Sequence, residues 1–267
     1  MARATKKLSA RSAFSSLQCA LQDIDGLSGF FLAVWLLSMI SVPIQQWVWG
    51  EEAVLRGTVI GVVLQAMTVS VILTRIWPAR RALTLGSGVV VFAWAVEWMG
   101  SSTGVPFGPY HYTERLQPQL LGVPLLIPLA WLMMVPPAWA IGGRLVRYGP
   151  RWQFVAVSAA AFTAWDFFLD PQMVHWRLWV WDEPGAYFGI PLMNFIGWFV
   201  TAALLSVILK PEPTSDVRLI WVYTLTWGLE AMALIGFWGL PGPGAVGFVI
   251  MGAFVVLAWR GVNRPCQ

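Results

Sequence analysis

The sequence predicts an all-α integral membrane protein, a polytopic bundle of about eight transmembrane helices. Hydrophobic residues make up 58% of the 267 residues and charged residues only 11%, so most of the chain cannot form the exterior of a soluble domain. Apolar runs of bilayer-spanning length also recur along the chain. They lie at 27–49, 53–74, 82–98, 121–142, 152–170, 187–209, 217–238 and 243–259.

The basic residues predict the orientation of the bundle, because Lys and Arg beside membrane spans accumulate on the cytoplasmic side. Of the 17 Lys and Arg residues, all except Arg56, Arg115 and Arg177 fall at the two ends of the chain or in alternate connections between spans. We therefore expect a plasma-membrane protein with both termini cytoplasmic. The net charge of +4 favours contact with anionic lipid headgroups and gives no reason to expect nucleic acid as a partner.

The chain is expected to form one transmembrane catalytic bundle, residues 27–259, between a basic cytoplasmic tail at 1–26 and a short cytoplasmic tail at 260–267. The N-terminal segment shows no small-residue cleavage site after a short apolar core, so we interpret the first span as a retained anchor. Cys19 and Cys266 both fall in the tails, where a disulfide is not expected.

Two stretches of the chain follow one pattern: an acid that ends an apolar helix, an aromatic loop, and a G-[VI]-P-L-x5-W segment that leads into the next span. An internal repeat of 85–150 and 152–210 would explain the match, and chance recurrence in so biased a composition is the alternative. The paired features are Glu97 with Asp166 and Asp170, and the segments 122–131 and 189–198.

Four acidic side chains, Glu97, Asp166, Asp170 and Glu230, lie within or at the edge of apolar spans. A charged group there is costly unless it is paired or protonated. Asp166 and Asp170 are four residues apart and therefore share one helix face. For Asp170, which precedes Pro171, the alternative is that it only ends a helix at the membrane interface. For Glu230, a structural hydrogen bond to another helix explains the residue as well as catalysis does.

The loop that follows Glu97 contains many turn-forming residues between 100 and 112, so we expect it to be non-helical and to dip back over the bundle. Tyr110, His111 and Tyr112 would then lie over a cavity and exchange hydrogen bonds or protons with a ligand. The alternative is that these aromatic side chains belong to an interfacial belt.

Other polar and aromatic side chains accompany the acids. Trp165 and Trp176 flank Asp166 and Asp170 in the sequence and can stabilise a cation with their ring faces. Asn194 lies inside an apolar span, where it needs a partner and could orient a water molecule. His175 follows Asp170, but the tight ligand spacings typical of metal sites and the motifs of nucleotide sites are absent from the sequence, so we expect no metal and no cofactor.

Taken together, the motifs between about 85 and 210 resemble those of one known family. They are E-x2-G-x2-T-G-x-P-F-G-x-Y-x-Y at 97–112, G-V-P-L-x5-W at 122–131, D-x3-D-P at 166–171 and G-I-P-x2-N-F-x-G-W at 189–198. In combination they resemble the membrane carotenoid 1,2-hydratase family, which includes gamma-carotene and lycopene hydratases and bisanhydrobacterioruberin hydratases.

The resemblance implies a hydro-lyase that needs no cofactor. It would add water to the terminal 1,2 double bond of an acyclic carotenoid end group, as in lycopene, gamma-carotene or a C50 analogue, to give a tertiary alcohol. Protonating such an alkene makes a tertiary carbocation, so the site needs a protonated carboxylic acid, aromatic faces and a positioned water with a base. Expected partners are the carotenoid, membrane lipid and other enzymes of the carotenoid pathway.

The residues suit that reaction in the following roles. We predict Asp166 or Asp170 as the general acid, with the other carboxyl or Glu97 holding the water. The expected supporting polar groups are Tyr110, His111, Tyr112, His175 and Asn194, and the expected cation-facing rings are Trp165 and Trp176.

Two other functions use similar residues. An intramembrane prenyltransferase acting on a carotenoid or quinone could bind Mg²⁺-diphosphate through Asp166 and Asp170, but the chain lacks a second Asp-rich cluster. A proton-coupled transporter could also use buried acids. It would be favoured by polar residues along several helices, whereas here they concentrate near one predicted membrane face.

Overall fold

The computed structural model describes residues 25–260, and within them it confirms the predicted all-α membrane bundle. Eight helices there are each long and apolar enough to cross a membrane. Residues 1–24 and 261–267, with Cys19 and Cys266, lie outside the described residues. The helices are α1 (Gly26–Trp49), α2 (Glu51–Ile76), α3 (Ala79–Thr103), α4 (Leu126–Leu145), α5 (Arg151–His175), α6 (Leu192–Leu209), α7 (Val217–Gly236) and α8 (Pro241–Arg260).

Helix α4 forms the centre of the bundle. Its most apolar stretch is 89% buried, whereas the corresponding stretch of α1 is only 22% buried. Helix α4 packs against α2, α3, α5, α7 and α8, while α1 packs mainly on α2 and more lightly on α7. The interior of the protein therefore surrounds α4, and α1 is a peripheral helix at its edge.

One end of the bundle carries a cluster of ion pairs between helix termini. Arg218 Nη1 lies 2.7 Å from Asp25 Oδ2, and Arg75 Nε lies 3.7 Å from Asp25 Oδ1. Hydrogen bonds from Ser28, supported by Arg218, hold the pKa of the Asp25 carboxyl well below its usual range. The described basic residues of the predicted cytoplasmic side lie at this end, and which side of the membrane it faces stays a prediction.

Short β-ladders occupy the opposite end. Strand β1 (Tyr110–Tyr112), after α3, pairs antiparallel with β4 (Trp179–Trp181), after α5. Strands β2 (Gln119–Leu120) and β3 (Val123–Pro124) form a hairpin immediately before α4. Helices α4 and α6 therefore begin about five residues later than the apolar runs predicted, because the residues before them are used in turns.

Helix α3 is longer than predicted. The turn-forming residues from Gly100 onward were expected to be non-helical, but the helix continues to Thr103. Gly104 ends it with a φ of 76°, and its N–H donates to the carbonyl of Gly100. Glycine adopts this left-handed conformation at helix ends at little cost. Glu97 consequently lies inside a helix, and the prediction that it ends one was wrong.

Helix α5 is also longer than predicted, because it runs through Pro171 to His175. A proline inside a helix leaves the carbonyl four residues earlier without its usual donor. Here that carbonyl belongs to Phe167, and the Tyr187 hydroxyl donates to it at 2.9 Å. The hydrogen bond lets the helix continue, so the alternative in which Asp170 merely ends a helix was wrong.

Candidate active site

A cavity of about 420 Å³ lies inside the bundle, near the end that carries the two aromatic loops. This volume is within the range of small-molecule sites, which are mostly apolar with a few convergent polar groups. Side chains from α1, α2, α4 and α7 form much of its apolar wall. Six of the residues predicted from the sequence also line it: Glu97, Tyr110, Tyr112, Trp165, Asp170 and Asn194.

Glu97 is held at the cavity wall by three hydrogen-bond donors. The hydroxyls of Tyr110 and Tyr112 donate to Oε2 at 2.6 and 2.7 Å, and the indole N–H of Trp131 donates to Oε1 at 3.0 Å. Converging donors match an ionised carboxylate, which can only accept. Burial, reinforced by the adjacent Glu97, raises the pKa of both tyrosines well above the usual value, so both phenols stay protonated as donors.

The alternation of side chains along β1 explains why both tyrosines reach the cavity. Residues one and three of a strand face the same side, and the residue between them faces the other. His111 is that middle residue. Its side chain is 62% exposed, and its Nδ1 lies 3.1 Å from Asp182 Oδ1. Among the predicted polar groups of this loop, the two tyrosines therefore lie at the cavity and the histidine does not.

Asp166 and Asp170 meet at the amide of Asn194. The two acids lie one turn apart on α5, and Asn194 comes from the start of α6. The amide nitrogen donates to Asp166 Oδ2 at 2.8 Å and also to Asp170 Oδ2. Trp179 Nε1 donates to Asp170 Oδ1 at 3.1 Å.

The two aspartates differ in their position relative to the cavity. Asp170 lines it, whereas Asp166 is fully buried behind it. Within residues 25–260, Asp166 Oδ1 has no hydrogen-bond partner, while both oxygens of Asp170 have one. Asp170 is therefore the member of the pair that can touch a ligand, and Asp166 can influence one only through Asp170 and the Asn194 amide.

Indole rings form much of the wall around the carboxyls. Trp131 and Trp198 are stacked with ring centroids 5.3 Å apart, and Trp165 meets Trp198 edge-on at 6.0 Å. Trp131 and Trp198 are the last residues of the two G-[VI]-P-L-x5-W segments. The sequence pattern therefore contained both tryptophans but did not predict that they lie at the site. Trp179 and Trp181 of β4 extend this aromatic surface.

Several further polar side chains that were not predicted as site residues line the cavity, among them Glu230, Gln172 and Gln65. Glu230 of α7 lies near Trp165 Nε1, although no hydrogen bond of normal geometry joins them. Gln172 is buried, and its Oε1 has no partner in the described part of the chain. Gln65 donates to Thr226 Oγ1 at 3.0 Å. Sequence identified Glu230 as an acid within a span, but gave no signal for either glutamine.

Besides Asp166, three predicted residues do not line the cavity. His111 and His175 are exposed, and the ring of Trp176 packs against Trp238 with centroids 5.5 Å apart. The predicted cation-facing pair is thus divided, since Trp165 lines the cavity and Trp176 does not.

The described residues contain no group of three His, Cys, Asp or Glu side chains arranged to hold a metal ion. The Asp166–Asp170 pair has the spacing of a Mg²⁺-diphosphate motif, but the Asn194 amide donates to an oxygen of each carboxyl. A hard cation would need those oxygens as ligands. In this geometry the Oδ2 atoms of both carboxyls already accept a hydrogen bond from the amide.

Fold and site together define an integral membrane protein that holds buried carboxyl groups against an apolar, aromatic cavity. A family model described as "Carotenoid biosynthesis protein" matches residues 57–254, and the chain belongs to this family. The chain is 28% identical over 130 residues to the bisanhydrobacterioruberin hydratase of Haloarcula japonica, a match that covers 47% of this chain and 43% of that protein. The chain thus spans less than half the length of this curated relative. No solved structure matches the chain. The family resemblance seen in the motifs is confirmed.

Proposed function

We propose that this protein adds water to the terminal 1,2 double bond of an acyclic carotenoid end group and produces a tertiary alcohol. The observation that carries the proposal is that Asp170, paired with Asp166 through the Asn194 amide, and Glu97 both line the aromatic end of one apolar cavity in a membrane bundle. Membership of the carotenoid biosynthesis family supports a carotenoid as the substrate. The relative named as a hydratase supports addition of water.

The aspartate pair is the proposed proton donor. Two carboxyl groups that share one amide do not both ionise readily, because like charges at close range repel; aspartic proteases share one proton between two aspartates in the same way. Asp170 delivers that proton, since it lines the cavity and Asp166 does not. Asp166 supports it by sharing the proton and the Asn194 amide.

The indole rings stabilise the charge that protonation creates. The proton adds to the CH carbon of the double bond, the π electrons form the new C–H bond, and the positive charge develops on the dimethyl carbon. Aromatic faces attract a cation electrostatically. Trp131, Trp165 and Trp198 present such surfaces at the cavity wall.

Glu97 is the proposed base. Its carboxylate, held by Tyr110, Tyr112 and Trp131, accepts a proton from the water whose oxygen bonds to the dimethyl carbon. Transfer of that proton back to the aspartate pair through water restores the site. The net reaction consumes one alkene and one water, with no overall change of oxidation state.

The decisive experiment incubates the purified enzyme with lycopene in detergent, with EDTA present, first in heavy-oxygen water and then in deuterium oxide. We expect the heavy oxygen in the new hydroxyl and one non-exchangeable deuterium on the neighbouring carbon. Oxygen derived from molecular oxygen, or loss of activity on chelation, would overturn the proposal in favour of a metal oxygenase. Mass spectrometry of the separated pigments distinguishes these outcomes.

A further inference from the structure

Residues of α1 and α7 that line the cavity are also exposed at the protein surface, which indicates an opening towards the membrane between these helices. Most of the side chains that line the cavity are buried. Three lining residues are instead about half exposed: Ile40 (45%) and Ile44 (52%) of α1, and Met232 (51%) of α7. Each of these residues belongs to a membrane-spanning helix, so the surface that they expose faces lipid. We call this gap, defined by Ile40, Ile44 and Met232, the α1–α7 opening.

An aromatic contact links α1 to the end of α7 beside the α1–α7 opening. The rings of Trp47 and Phe237 meet with centroids 5.9 Å apart, and they join α1 to α7 at the end that carries the aromatic loops. The two helices pack only lightly against each other. Pro43, inside α1 and at the cavity, also removes a helical hydrogen bond and so weakens the local rigidity of this edge helix.

The size of the cavity requires such an opening if the substrate is a carotenoid. A volume of about 420 Å³ suits one drug-sized ligand. A carotenoid is a long, rigid, apolar polyene, so its reacting end fits beside Asp170 and Glu97 while the rest of the chain must lie elsewhere. An apolar chain is stable in lipid and would be unfavourable in water, which favours a sideways exit into the bilayer.

We propose that the carotenoid binds end first, with its polyene chain passing through the α1–α7 opening into the bilayer while one end group reacts. This inference rests on the proposed hydration and adds to it a binding mode for the substrate. It follows that a carotenoid with two reactive ends is hydrated at one end in each binding event. The singly hydroxylated product must therefore precede the doubly hydroxylated one in a time course.

The test narrows the opening with Ile44→Trp and, on the opposite helix, Met232→Trp. Leu37→Trp is the matched control, because Leu37 is 66% exposed on α1 but does not line the cavity. Each variant is assayed with lycopene and with a short acyclic isoprenoid that carries the same end group. The amount of carotenoid retained on the purified protein is also measured from its visible absorption, which requires no turnover.

We expect both opening variants to lower hydration of lycopene about tenfold more than hydration of the short substrate, the scale of one altered contact in an apolar pocket. They should also retain less carotenoid, and Leu37→Trp should behave as wild type. Equal losses on both substrates, wild-type behaviour of the opening variants, or immediate double hydroxylation would each overturn the inference. A wild-type protein that retains lycopene through the opening but hydrates neither substrate would overturn the proposed reaction and leave the binding mode supported.

Discussion

The stretch from α3 to α4 and the stretch from α5 to α6 each bring an acidic side chain to the cavity. The two stretches differ in the hydrogen-bond donors that they supply to these acids. In the first, Glu97 accepts from three donors, so both of its oxygens are occupied. In the second, Asp166 and Asp170 share the Asn194 amide, and in the described structure one oxygen of Asp166 has no partner. An ionised carboxylate held by three donors with one acceptor site left on Oε1 suits a base, and an incompletely satisfied pair suits a shared proton.

The turns of the two stretches match in detail. Leu121 and Gly122 have φ values of 51° and 80°, and Phe188 and Gly189 have 48° and 90°. Two positive φ values in a two-residue hairpin loop are typical of a type I′ turn. Each turn precedes a proline and the next helix. These matching turns support an internal repeat of 85–150 and 152–210, which remains a proposal.

The two stretches also meet each other across the cavity. Strand β1 of the first pairs with β4 of the second, and Trp131 of the first stacks on Trp198 of the second. Equivalent elements therefore form one site together, although their acids differ in number and in partners. If the proposed roles of these acids are right, one local architecture serves two chemical tasks, and four predictions test this comparison.

The largest expected effect is all-or-none and concerns topology. A parallel repeat requires the two aromatic loops to lie on the same side of the membrane, outside if both termini are cytoplasmic. Reporter fusions at Pro118 and Gly185 should both indicate the outside, and fusions at Gly149 and Pro213 the inside. Opposite readings at Pro118 and Gly185 would contradict a parallel repeat, while a full inversion would contradict only the orientation.

Next in size is the loss of the proposed acid. Asp170→Asn keeps the size and hydrogen bonding of the side chain but cannot donate the proton, so hydration should fall by about 10²–10⁴-fold. Asp166→Asn should also be severely impaired, because the pair shares the proton. The assay is product formation per unit of inserted protein, with the exposed Asp182→Asn as control. Wild-type turnover by both pair variants would show that these acids are structural.

A smaller effect is expected from weakening the support of Glu97. Tyr112→Phe removes one donor to the carboxylate, and a hydrogen bond to a charged group contributes about 1.5–3 kcal/mol, so activity should fall roughly ten- to hundredfold. Tyr148→Phe is the control, because Tyr148 is 89% exposed. A loss as large as that of Asp170→Asn would instead indicate that Tyr112 itself donates the proton.

The smallest effect tests the equivalence of the turns. Gly122→Ala and Gly189→Ala would each place a Cβ in open space within the described structure, so the cost is the positive φ alone, about 1–2 kcal/mol. Thermal unfolding in detergent should show similar decreases in Tm for both variants, with activity largely kept. Clearly unequal decreases in Tm would show that the two turns contribute differently to the stability of the fold.

Local sequence was sufficient for several features because they depend on composition over a short window. Hydropathy located the eight spans, because a helix that crosses lipid needs an apolar run of residues regardless of which other helices pack against it. The same logic identified Glu97 and Asp170 as unusual, because an acid in such a run is costly. Both line the cavity.

Helix ends were predicted less well, because their hydrogen bonds come from residues distant in sequence. Pro171 predicts the end of α5 when its helix is considered alone. The hydroxyl of Tyr187, twenty residues from Phe167, satisfies the freed carbonyl and lets the helix continue. A pattern confined to one helix contains no information about that donor.

By itself the sequence determined the membrane class, the family and the acids proposed to carry the chemistry, since each of these depends on residue type and spacing along the chain. Tertiary structure decided which of those side chains share one cavity. It placed Asp170 at the wall with Asp166 behind it, turned His111 to the surface, and added Glu230 from a helix far along the chain. The physical reason is that a cavity is made by faces of several helices, and which face each helix buries depends on the neighbours against which it packs.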